Sequence, residues 1–221
     1  RMWGRGIDVD TSSSSVLKRD VLGLLQKHQL IPFKTSNLSL ESLGYDENTN
    51  RWYLGFEQMI TLTDPVWNEV SATWERQIPV WRRGVEARIQ DSKLTLLGVD
   101  VLIDVEDGNI VTNSAGIGAL EAIDIAQKEI SEVAFTWNTS VDLMILPLEN
   151  TSVEHPKGLD SRLCWYVKWE TQEPRGQWVA FVDVETGRVW NIHNEVRYFE
   201  GTLYGEHDER TVGDAIVSSP L

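Results

Sequence analysis

A single cysteine, Cys164, stands in 221 residues. No internal disulfide can form from it, and no cysteine-rich zinc site exists. Basic residues are scarce as well: 20 Lys and Arg face 34 Asp and Glu, for a net charge of −14 and a pI near 4.7. Nucleic-acid backbones are held by clustered Lys and Arg. The densest such group here is only Arg76, Arg82 and Arg83, so no nucleic-acid partner is expected. Long apolar runs are missing too. Val141 to Leu148 falls far short of the roughly 18 residues that a membrane-crossing helix needs, and no membrane span is expected.

Catalytic signatures are equally sparse. His28, His155, His193 and His207 are followed by Gln29, Pro156, Asn194 and Asp208, so none opens a His-Glu-x-x-His zinc helix. There is no Gly-x-Ser-x-Gly elbow, no phosphate-binding loop and no complete dinucleotide fingerprint; Gly116 and Gly118 form only part of one. Cys164, between Leu163 and Trp165, reads as a small packed side chain, since no base sits at an informative spacing. Asp100, Asp104 and Glu106 share one strand parity, and with Asp107 and Asp208 they could supply oxygen ligands to calcium. No compact D-x-D-x-D-G loop accompanies them, and a solvated acidic face is the simpler reading. The sequons at Asn37, Asn138 and Asn150 carry no decision. No catalytic residue, metal or cofactor is expected, and the chain is read as a non-enzyme.

What is present is a core and an unusual stock of tryptophan: 41% hydrophobic residues and ten Trp. After a lead-in over 1–14, Leu17, Val21, Leu24 and Leu25 recur at helical spacing, with Ser14 or Ser15 placed to cap the helix and Pro32 beyond its end. The period then changes to two. Trp52, Leu54 and Phe56 alternate with polar neighbours, and strands are expected at Trp67 to Glu75, Val80 to Gln90 and Leu94 to Val105, with a tight turn at Asp91-Ser92. Asp107-Gly108 signals a hairpin. A second helix follows, capped by Ser114, with Ala119, Leu120, Ile123, Ala126 and Ile130 as its apolar stripe. A meander comes next, from Phe135 and Trp137 through Val141 to Leu148, Leu163 to Thr171, Gln177 to Val184 and Arg188 to His193. Helix followed by antiparallel strands occurs twice, which predicts an α+β fold of two tandem cystatin-like units, each a helix packed on an antiparallel sheet. Their expected bounds are 15–110 and 111–200, with 201–221 as a linker or the first strand of a following domain.

Trp165 and Trp169 share a strand parity with Leu163 and Val167, and Trp178 shares one with Ala180 and Val182. Cross-strand packing under the second helix accounts for them. Three others are candidates for a partner-binding surface: Trp81, beside Arg82 and Arg83, together with Trp67 and Trp74.

Gln77-Ile78-Pro79-Val80-Trp81-Arg82-Arg83-Gly84-Val85 resembles the Gly-Ile-Pro-Val-aromatic-Gly strand of the fungalysin/thermolysin propeptide (FTP) domain, with Gln77 and Arg82 in place of glycines. A proline at a strand's first residue costs no ladder hydrogen bond. Gln177-Trp178-Val179-Ala180-Phe181-Val182-Asp183-Val184-Glu185-Thr186-Gly187-Arg188-Val189-Trp190 resembles the closing hairpin of a PepSY domain: Trp, alternating strand, Val-Asp, Thr-Gly and Val. The two occur in the family's order over about residues 15–200. The resemblance implies the propeptide region of a secreted zinc metallopeptidase, an exported, non-catalytic module that binds the downstream peptidase of the same chain as folding chaperone and inhibitor. The chain opens on Arg1 with no apolar leader and is read as part of a longer exported one. Two other readings fit the same residues: an exported regulatory or adhesive FTP/PepSY module with no peptidase attached, and a Trp-based carbohydrate-binding module.

Overall fold

The structure, a computed structural model, describes residues 6–102, 116–130, 136–149, 159–172 and 175–196. These form nine strands, two α-helices and a short 3-10 turn at Thr35–Asn37. The strands are β1 (Ile7–Asp8), β2 (Leu38–Asp46), β3 (Arg51–Asn68), β4 (Thr73–Gln90), β5 (Lys93–Asp100), β6 (Thr136–Glu149), β7 (Leu159–Gln172), β8 (Arg175–Asp183) and β9 (Val189–Asn194). The helices are α1 (Ser14–Lys27) and α2 (Ala119–Lys128).

All nine described strands belong to one mixed sheet. Antiparallel ladders join β1 to β5, β5 to β4, β4 to β3 and β3 to β2, and a second series runs β6-β7-β8-β9. A parallel contact between β4 and β6, centred on Val80 and Ile145, connects the two series. This corrects the expected fold class. The chain is mostly β, with two helices on a large mixed sheet, and is not a pair of helix-on-sheet cystatin-like units.

The reason lies in the length of β3 and β4. The expected strand from Trp67 to Glu75 is instead the end of a hairpin of two 18-residue strands, in which Asn68 pairs with Thr73. Asn68 makes the turn. Its side-chain oxygen accepts from the N–H groups of Val70 and Ser71 at 3.0 and 3.3 Å, an arrangement that Asn favours at turns. The near half of this hairpin supplies Leu54, Phe56, Val85, Ala87 and Ile89 to a core under α1. The far half supplies Ile60, Leu62, Ile78 and Val80 to the core under α2, beside Val141, Leu143, Trp165, Trp169 and Val182.

Both helices follow their apolar spacing, with two differences. Leu17, Val21 and Leu25 are buried in α1 as the period predicts, but Ser13 is the cap, accepting from the Val16 N–H at 3.3 Å. In α2 the buried positions are Ala119, Ala122 and Ala126, while Leu120 is 60% exposed. Alanines let the helix approach the sheet closely, and Ile117, Ile123, Ile125 and Ile130 pack around its flanks. The turn at Asp91-Ser92 holds, both residues taking positive φ (51° and 58°) between paired Gln90 and Lys93, as a two-residue turn of type I′ requires. The expected boundary at 110–111, the Asp107-Gly108 hairpin, the Ser114 cap, Phe135 and residues 201–221 lie outside the described residues.

Candidate functional site

Gln58 of β3 stands opposite four residues of β4, Val80 to Arg83, between the paired positions Glu57–Gly84 and Met59–Pro79. This wide bulge turns β4 over. Its buried side changes from odd positions (Val85, Ala87, Ile89) to even ones (Ile78, Val80). Inside the bulge Arg82 takes φ +54°. Gly84 must be glycine, because a Cβ there would run into the carbonyl oxygen of Phe56. Gln58, buried at the narrow side, makes up for the lost ladder: its amide donates to the Leu102 carbonyl at 3.1 Å and accepts from the Leu102 N–H at 2.8 Å.

The reversal sends Trp81 to the opposite face of β6–β8. Its ring lies 5.0 Å from those of Tyr166 and Phe181. These three close a third cluster with Met144, Leu146, Cys164 and Val179. Trp81 is therefore half-buried and largely structural, while Arg82 beside it is exposed. Arg83 pairs with Asp100. Cys164 is wholly buried, and burial, with Asp183 adding to it, pushes its thiol far above the usual range.

An open groove of about 890 Å³ runs over the outer face of β3, β4 and β5 up to Trp81 and β7. Its floor includes Gly98, where the sheet presents backbone instead of side chain, and Gly55, over which the Ser42 hydroxyl lies. Four cations, Arg82, Arg83, Arg88 and Lys168, and four acids, Glu41, Glu57, Glu86 and Asp100, line it. Three of the cations lie over aromatic rings: Arg82 over Trp81 at 5.0 Å, Arg88 over Tyr53 at 5.8 Å and Lys168 over Tyr166 at 4.8 Å. Burial raises the pKa of Glu57, and Glu41 adds to the effect.

Trp67 and Trp74 are elsewhere. They face each other across the far end of the hairpin, 41% and 66% exposed, and do not line the groove. The five sequence candidates thus divide into Trp81, Arg82 and Arg83 at the bulge and the Trp67–Trp74 pair at the tip. Sequence reasoning missed Arg88, Lys168, Glu41, Glu57 and Glu86, and weighed Asp100 only as a calcium ligand. Each sits at an outward strand position, and only the bulge and the β4–β6 contact bring them together. Of the calcium candidates, Asp100 is paired with Arg83, and Asp104, Glu106, Asp107 and Asp208 lie outside the described residues. Among the described residues no group of three His, Cys, Asp or Glu is placed to hold a metal, and no helix is long and apolar enough to cross a membrane.

The second motif folds into a self-contained turn. Asp183 Oδ1 accepts from the N–H groups of Glu185 and Thr186 and from the Thr186 hydroxyl, at 3.0, 2.8 and 3.0 Å. Its other oxygen accepts from the Trp190 indole at 2.9 Å. Gly187 follows at φ +70°. These contacts give Val-Asp, Thr-Gly and Trp190 a structural task.

No protein-family model and no curated protein matches the chain. Among solved structures it is similar to the Bacillus megaterium YpeB C-terminal domain, at 12% identity and a TM-score of 0.38, over 86% of this chain and 68% of that one.

Proposed function

We propose that the chain is a non-catalytic, exported module of the propeptide kind, which acts by binding protein: it assists folding of a metallopeptidase downstream in the same chain and inhibits it until released. The observation that supports this reading is the groove beside the Val80–Arg83 bulge. The residues that carry the FTP resemblance build its rim, and Gly98 in its floor leaves room for another chain to approach the sheet. Balanced charges and cation-capped rings suit a polypeptide of mixed sequence better than a polyanion. A surface complementary to the folded peptidase stabilises that fold by binding it, and the same contact covers the cleft.

The test uses the full-length chain carrying its downstream domain, cut between the two. Arg82→Glu with Lys168→Glu, both at exposed positions, is expected to weaken rebinding and inhibition by about tenfold or more. Unchanged binding would place the contact surface elsewhere. Hydrolytic activity of this chain abolished by one substitution within it would overturn the non-catalytic reading. Trp81→Ala is a poor probe, because it opens the cluster with Tyr166 and Phe181 and unfolds as it disarms.

A further inference from the structure

The far end of the β3–β4 hairpin carries apolar surface that no core covers. Trp67 is 41% exposed, Val70 46% and Trp74 66%. The two indoles are register partners with ring centroids 5.3 Å apart and planes inclined at 55°. Such a pair steadies a hairpin, but that task does not require most of Trp74 to stand in water.

The tip is held firmly. Asn68, wholly buried, donates to Glu75 Oε1 at 2.6 Å and to the Val141 carbonyl at 3.3 Å while its oxygen shapes the turn. Glu69 accepts from the Leu120 N–H at 3.1 Å and so ties the turn to the start of α2. An apolar patch fixed in this way loses little freedom on binding, which is the condition for an effective anchor.

Charge selects the partner. No Lys or Arg occurs between Arg51 and Arg76, whereas Asp64, Glu69 and Glu75 do, and Glu121 and Asp124 lie on the helix that Glu69 touches. Arg76, the nearest cation along β4, donates its Nε to the Leu62 carbonyl at 3.1 Å and keeps its charge, so the stretch from Asp64 to Arg76 carries three acids against one base. Exposed aromatic faces on a hairpin end with an excess of carboxylates favour a Lys or Arg side chain, whose stem packs on the indole while its head is drawn by the acidic field. The same field, with a chain charge of −14, repels anionic lipid and a second copy of the chain.

We propose that Trp67, Val70 and Trp74 form a docking surface for a cationic polypeptide segment in which Lys or Arg alternates with aliphatic residues. It shares no residue with the groove and lies roughly 20 Å from it along β4 by strand rise, so the inference stands independently of the propeptide reading. The probe is a short peptide of alternating Arg and Val, titrated against the intact chain by tryptophan fluorescence. A Glu-Val peptide, phosphatidylcholine vesicles and a soluble glucan serve as competitors, and phosphatidylglycerol vesicles, which would sequester the cationic probe, are titrated against the chain alone. Saturable binding of the Arg-Val peptide is expected, weakened about tenfold by Trp67→Thr with Trp74→Thr, about threefold by Asp64→Lys, and unaffected by Arg82→Glu in the groove. Wild-type affinity in the tryptophan variant would overturn the proposal, since the attraction would then be diffuse charge. So would displacement of the peptide by phosphatidylcholine vesicles, glucan or self-association, or binding of the chain alone to phosphatidylglycerol vesicles through Trp67 and Trp74. If the tryptophan variant does not fold, Asp64→Lys decides alone, and unchanged affinity there overturns the proposal.

Discussion

Arg82 sits at φ +54°, where the Cβ of an L-residue crowds the neighbouring carbonyl and glycine meets no such conflict. The bulge demands a left-handed residue, and Arg82 meets that demand at a cost that glycine would not carry. Arg82→Gly and Arg82→Val both lose the guanidinium over Trp81, so the difference between them isolates the backbone. The glycine variant is expected to be the more stable by about 1–2 kcal/mol in urea denaturation. Asp183 makes a second prediction. Burial works against its carboxylate, yet donors led by the Trp190 indole, then Thr186 and Glu185, outweigh burial and hold its pKa below the usual value. A depressed folded-state pKa contributes stability that is present above the unfolded value, about 3.9, and is lost as pH falls through the folded one. The denaturation midpoint is therefore expected to change little through this group from pH 7 to 5 and to fall below about pH 4. Asp183→Asn flattens part of that fall and costs about 1–3 kcal/mol at neutral pH, because its amide cannot accept from the Trp190 indole without giving up the turn.

Among the elements, β3 and β4 are the least ordinary. Their first bulge places four residues of β4 opposite Gln58, and a second places four of β3, Leu62 to Pro65, opposite Arg76. The second restores the register that the first shifted, so the hairpin closes in step at Asn68 and Thr73. At each bulge the lone residue on the narrow side sends its side chain to backbone: Gln58 to Leu102, and Arg76 to the Leu62 carbonyl. Helix α2 depends on this hairpin. Its N-cap, Gly118, offers no side chain, and the carboxylate of Glu69 bonds the Leu120 N–H instead. Glu69→Ala is expected to cost about 1 kcal/mol, with Glu69→Gln between it and wild type, measured by chemical denaturation. Much of α1 was legible, since a three-to-four-residue period needs no partner to be read. The stripe of α2 was legible except at Leu120, whose apolarity suggested a core position that small alanines fill.

Across the whole molecule, the core under α2 is built from the far half of β3–β4 as well as from β6, β7 and β8. Leu62→Ala in β3 and Val182→Ala in β8 are therefore expected to lower one shared unfolding transition, the former by about 2–5 kcal/mol, with circular dichroism and tryptophan fluorescence coinciding. Separate transitions, each moved by only one substitution, would show that the two segments unfold independently. The sheet of β6–β9 is covered on both faces, by α2 on one and by Trp81 on the other. That second cover explains why Cys164, Tyr166 and Phe181, at the parity opposite to Trp165 and Val182, are also buried.

The sequence by itself determined the helical stripe of α1, the strand parity that buries Leu163, Trp165, Val167 and Trp169, and the turns at Asp91-Ser92 and Glu185-Thr186-Gly187, because each rests on residues near one another along the chain. Tertiary structure alone decided that the strands join into one sheet, that Trp81 is a packing residue with exposed Arg82 beside it, and that scattered Arg88, Lys168 and Glu57 share a groove. A bulge has meaning only against its partner strand, and which face of a strand is covered depends on a segment distant in sequence; neither leaves a period to be read.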